Sequence, residues 1–139
     1  MSKDLAQAAA LYRQGCDGGS GVGCRDLGVL FQDGNGVHKD PAAAAYLYRK
    51  ACQGGDPIGC TNLGILYDNG TGLKKDPSQA AALYRQGCDG GNGPGCRNLA
   101  VDYETGDGVT KDIAQAKAYY QKGCDGGDSP SCDAVKRLN

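Results

Sequence analysis

Apolar residues three and four positions apart mark two kinds of segment that alternate along the chain. In "DPAAAAYLYRKAC" (residues 40–52) the alanines, then Leu47 and Tyr48, then Ala51 form one stripe, with Arg49 and Lys50 outside it. Asp40 is placed as an N-cap and Pro41 at the first helical position. Asp76 and Pro77 repeat the device, and Asp4 and Asp112 keep the cap with Leu5 and Ile113 behind them. In "GCTNLGILYDNG" (59–70), Cys60, Leu63, Gly64 and Tyr67 share a face. Gly70 and Gly72 then end the segment, because glycine accepts a left-handed C-terminal turn cheaply. Two helices of about a dozen residues joined by short Gly-rich connections predict antiparallel hairpins.

The pattern repeats every 36 residues. Cys16, Cys52, Cys88 and Cys124 keep that step, as do Cys24, Cys60, Cys96 and Cys132. Asp4, Asp40, Asp76 and Asp112 are in phase with them, and so are Tyr12, Tyr48, Tyr84 and Tyr120. Four markers in phase identify a tandem array. A single hairpin cannot close a core, but stacked hairpins can, so the expected architecture is an all-α solenoid. Periodic aromatics in such an array read as core between repeats: the four tyrosines with Leu11, Leu47, Leu83 and Tyr119, and Phe31, Tyr67 and Tyr103 on the other helix.

Composition changes this picture at few points. The 139 residues carry 15 basic and 16 acidic side chains, a net charge of −1, which argues against a nucleic-acid or anionic-membrane partner. No apolar run is long enough for membrane insertion, and no signal-like stretch follows Met1. The 24 glycines sit at fixed offsets and therefore belong to the repeat rather than to disorder.

These residues carry a resemblance. "LGVLFQDGNGVHKDPAAAAYLYRKACQGG" and "LGILYDNGTGLKKDPSQAAALYRQGCDGG" resemble the Sel1-like repeat (SLR), a 36-residue relative of the tetratricopeptide repeat. The third copy, "LAVDYETGDGVTKDIAQAKAYYQKGCDGG", puts Ala100 where the motif has glycine. Cysteines eight apart, at positions usually held by alanine, resemble the cysteine-rich SLR subgroup of secreted Helicobacter proteins. The resemblance implies a right-handed α/α superhelical solenoid spanning 1–139 as one domain. It would hold a lone helix B at about 4–16, helix A/B pairs at about 23–52, 59–88 and 95–124, and a capping helix at about 130–138. In that cap, Cys132, Val135 and Leu138 would face inward, and Asp133, Lys136 and Arg137 would face water.

The eight cysteines admit three readings. Zinc needs three or four ligands, usually from closely spaced Cys pairs or with His; no Cys-x-x-Cys exists and His38 is the only histidine. A redox dithiol is also usually Cys-x-x-Cys. In the structural reading, Cys16–Cys24, Cys52–Cys60, Cys88–Cys96 and Cys124–Cys132 bridge the link from each helix B to the next helix A. The chain-entropy model gives each such loop about 2.5 kcal/mol. Such bridges imply a periplasmic or secreted protein, although Met-Ser-Lys also suits a cytoplasmic start.

Other motifs are weak. Gly34-Asn35-Gly36, Gly70-Thr71-Gly72 and Gly106-Asp107-Gly108 follow helices, not strands, and read as turns rather than phosphate loops. "DNGTGLKKD" lacks calcium-loop spacing, so neither metal nor cofactor is expected. The subgroup resemblance brings penicillin binding and weak β-lactamase activity into play. None of the five serines begins Ser-x-x-Lys, however, and His38 reads as a solvated turn residue, so no catalytic residue is assigned.

By the same resemblance, a protein or peptide ligand would lie on the concave side formed by helices A. The positions facing it would be Arg25, Asp26 and Val29, then Thr61, Asn62 and Ile65, then Arg97, Asn98 and Val101, with Asp133 on the cap. The far turn adds Gln32, Asp68, Asn69 and Glu104. Asn amides can pair with both groups of a peptide backbone, Arg can clamp a carboxylate, and Val29, Ile65 and Val101 would form an apolar floor. The expected molecule is a monomeric binding scaffold.

Overall fold

The computed structural model describes residues 3–139, which form eight α-helices and, among them, no strand. The helices are α1 (Lys3–Asp17), α2 (Gly21–Asp33), α3 (Pro41–Gln53), α4 (Pro57–Asn69), α5 (Pro77–Asp89), α6 (Gly93–Thr105), α7 (Ile113–Asp125) and α8 (Ser129–Leu138). They stack in chain order as an α/α solenoid, with the most extensive interfaces inside α2/α3, α4/α5 and α6/α7.

Side-chain N-caps start α2 to α8. Asp40, Asp76 and Asp112 accept the backbone N–H three residues on, at 3.1–3.2 Å. Asp4 does not cap; it lies inside the first turn of α1, where its charge meets the positive end of the helix dipole. The even-numbered helices start two residues before Gly23-Cys24, Gly59-Cys60, Gly95-Cys96 and Ser131-Cys132, because Ser20, Asp56, Asn92 and Asp128 cap them. Gly34, Gly70 and Gly106 close α2, α4 and α6 in the left-handed region, at φ 73°, 66° and 79°.

The four disulfides join Cys16–Cys24, Cys52–Cys60, Cys88–Cys96 and Cys124–Cys132, leaving no free cysteine among the described residues. Each spans the junction from an odd-numbered helix to the next even-numbered one, where the helix–helix interface is the smaller. The bridge therefore clamps the weaker joint of the stack.

The core is periodic. Tyr48, Tyr84 and Tyr120 are 1–3 % exposed, and the first two lie across a glycine of the preceding even-numbered helix. A Cβ on Gly28 or Gly64 would come within 2.7 Å of the facing ring. The third repeat holds Ala100 there, fully buried beside Tyr120. In α8 the deeply buried positions are Ser131 and Ala134, while Cys132, Val135 and Leu138 are half-buried.

Candidate functional site

Each buried tyrosine hydroxyl donates to a polar residue one helix back: Tyr48 to Gln32 at 2.5 Å, Tyr84 to Asp68 at 2.6 Å and Tyr120 to Glu104 at 2.8 Å. The far-turn residues of α2, α4 and α6 thus anchor the core. Burial, then the nearby Asp33 charge, pushes the Tyr48 phenol up to about 12; burial and the Glu104 acceptor do the same for Tyr120. Tyr84 is raised further by burial and its bond to Asp68.

A second ladder runs between repeats. Arg25 Nε donates to Asp56 at 2.8 Å, Thr61 Oγ1 donates to Asn92 Oδ1 at 2.7 Å, and Arg97 Nε lies 3.0 Å from Asp128 Oδ2 without the alignment of a hydrogen bond. Asp56, Asn92 and Asp128 are the N-caps of the next even-numbered helix, so one residue contacts its neighbour's first turn. Asp56 is 7 % exposed, and its Oδ2 accepts from the Gly59 N–H as well as from Arg25. A third ladder puts Arg13, Arg49 and Arg85 over the rings of Phe31, Tyr67 and Tyr103 at 5.7–5.8 Å, with Arg49 bonded to the Tyr67 hydroxyl and Arg85 to those of Tyr103 and Tyr119.

Of the ten binding positions expected from the sequence, Arg25, Thr61 and Arg97 are engaged in the cap ladder. The others lie together on the even-numbered helices. Ile65, Asn98 and Val101 line a groove of about 360 Å³ with Asp68, Asn69, Tyr84, Asp102, Thr105 and Asp107. Val101 also lines a second groove of about 360 Å³ with Arg97, Tyr120, Pro130, Asp133, Ala134 and Arg137. Val29 and Val101 are exposed at 37 % and 41 %, and Asp26, Asn62 and Asn98 are half-buried. Of the serines, Ser20 caps α2 and Ser131 Oγ donates to Asp128, while His38 is exposed.

One residue of the first groove was missed from the sequence. Asp102 is 4 % exposed, and burial, then Asp68 and Asp107, push its carboxyl up to about 8. The signal was in the phase: the same place in the earlier repeats is Leu30 and Leu66.

The molecule is thus a disulfide-clamped α/α solenoid with polar ladders between repeats, the class of helical repeat scaffolds. The Sel1 repeat family model matches residues 1–20, 21–56, 57–92 and 93–128, and the chain belongs to that family. Among solved structures it is similar to a Sel1 repeat protein from Oxalobacter formigenes, at 31 % identity and a TM-score of 0.90 over 97 % of this chain and 55 % of that one. A protective antigen of uropathogenic Escherichia coli with an SLR fold is 32 % identical, with a TM-score of 0.91 over 99 % of this chain and 30 % of that one. The chain therefore spans about half of the first relative and a third of the second. Helicobacter pylori cysteine rich protein B is 30 % identical with a TM-score of 0.78, covering 95 % of both chains. A search of curated proteins finds no match.

Proposed function

We propose that the chain is a protein- or peptide-binding scaffold of an oxidising, extracytoplasmic compartment, and that it binds along the face of α2, α4, α6 and α8. The observation that carries this reading is the state of Asn62 and Asn98. Both amides are half-buried on that face, and among the described residues neither side chain bonds another protein group. Amides held at the surface by packing and free to pair are suited to an extended backbone. Two further observations support it. Val29, Ile65 and Val101 offer apolar contact between the amides. The even-numbered helices also touch one another along the stack more closely than the odd-numbered ones do, which favours an inner, concave side. Four disulfides suit an oxidising compartment, and no helix of the described residues is long and apolar enough to cross a membrane.

The test compares wild type with Asn62→Ala/Asn98→Ala as baits in an extract of the host's cell envelope. A specific partner retained by wild type and lost by the double variant, with the melting temperature unchanged, is the expected result. Equal capture by both baits, or a variant that is destabilised, would assign the two residues to the fold instead.

A further inference from the structure

Two observations meet in the first groove. The first is a break in the repeat. Leu30 and Leu66 are core residues at 8 % and 1 % exposure, and 36 positions on stands Asp102, as deeply buried at 4 %. Its Oδ2 is buried and has no hydrogen-bond partner. A carboxylate in such a place is costly unless a cation or donors satisfy it. The second is convergence: one carboxylate oxygen each from Asp68, Asp102 and Asp107 lies within 4.8 Å of the others. They come from the last turn of α4, from α6 and from the turn after α6. None of the three is ion-paired with a Lys or Arg among the described residues.

We propose that Asp68, Asp102 and Asp107 form a divalent-cation site for an ion of calcium size at the junction of the second and third repeats. The donor set is oxygen only, which suits hard cations and disfavours zinc. Two ligands on opposite sides of one calcium, each at 2.3–2.6 Å, stand about 5 Å apart; around magnesium they stand at about 4.2 Å. Oxygens within 4.8 Å of one another can share either ion, and calcium is favoured because it tolerates irregular geometry from three side chains, whereas magnesium demands a near-ideal octahedron. The ion would satisfy the buried Asp102, cancel the repulsion among the three carboxylates and tie α4 to α6. The site is particular to this junction. The matching residues one repeat earlier are Gln32, Leu66 and Thr71, which carry no carboxylate. This inference stands independently of what the scaffold binds.

Terbium(III) is the probe, since tyrosine excitation sensitises it and Tyr84 donates to Asp68. Titration of the oxidised chain is expected to give saturable emission at one ion per chain. Calcium should displace it in the range of about 10⁻⁴–10⁻³ M that extracellular sites show. Calcium should also raise the melting temperature. In Asp102→Asn and in the exposed Asp107→Asn, terbium affinity should fall at least tenfold and the calcium-induced thermal shift should vanish. Asp102→Leu, which restores the residue of the other repeats, guards against a variant that fails to fold. Unsaturable emission, or affinity unchanged in Asp107→Asn and Asp102→Leu, would overturn the site.

Discussion

Asp102 shows how a single position can be read against its own repeats. Leucine fills the equivalent place in α2 and α4, so the fold accepts an apolar side chain there. Burying a carboxyl group without a partner costs stability, and a hydrophobe that fits the same space removes that cost. Asp102→Leu should therefore raise the urea midpoint in the presence of a chelator; a loss of stability would mean that Asp102 has a partner in the fold. Glu104 gives a pH prediction of opposite character. Arg137, bonded at 2.8 and 3.0 Å, and then Tyr120 hold its carboxyl below the ordinary 4.5. A lowered folded-state pKa gives stability that is present above the ordinary value and is lost as pH falls through the folded one. Glu104→Gln should flatten the stability–pH curve below about pH 4.5, measured by chemical denaturation; an unchanged slope would remove Glu104 from the account. The departure at Asp102 was visible in the sequence as a broken phase. Its role was not, because Asp68 and Asp107 meet it only when α4 and α6 stack.

At the scale of elements, the Asp-Pro starts, the alanine stripe and the glycine ends made the helices legible. The caps of the even-numbered helices were hidden: Ser20, Asp56, Asn92 and Asp128 sit among glycines and read as loop. The contacts that their inter-repeat partners make were hidden as well. Arg25, Thr61 and Arg97 looked like ligand contacts because their spacing along one helix cannot show a cap supplied by the next repeat. Two predictions belong here. Cys88→Ser/Cys96→Ser opens the central clamp, and the chain-entropy model gives a loss of about 2.5 kcal/mol in equilibrium unfolding. A loss below about 0.5 kcal/mol would show that α5 and α6 hold their angle by packing alone. Gly64→Ala forces a Cβ toward the Tyr84 ring, which should cost about 1–3 kcal/mol by overpacking. A neutral effect would show that this ring can shift as readily as the one beside Ala100.

Covalent clamps, cap-directed side chains and arginine–aromatic stacks couple successive hairpins of the molecule, and tyrosine bonds join the two helices within each hairpin. All four recur at 36 residues, which is why the architecture followed from phase alone while the binding face did not. A repeat pattern marks what every copy shares, and ligand contacts are the positions where copies are free to differ. The even-numbered face combines both kinds of position. Selection of a random-peptide display library on the oxidised chain tests its role most directly. The account predicts enriched peptides whose affinity falls at least tenfold on Asn62→Ala/Asn98→Ala at an unchanged melting temperature. Peptides that bind wild type and double variant equally, or no enrichment at all, would contradict it.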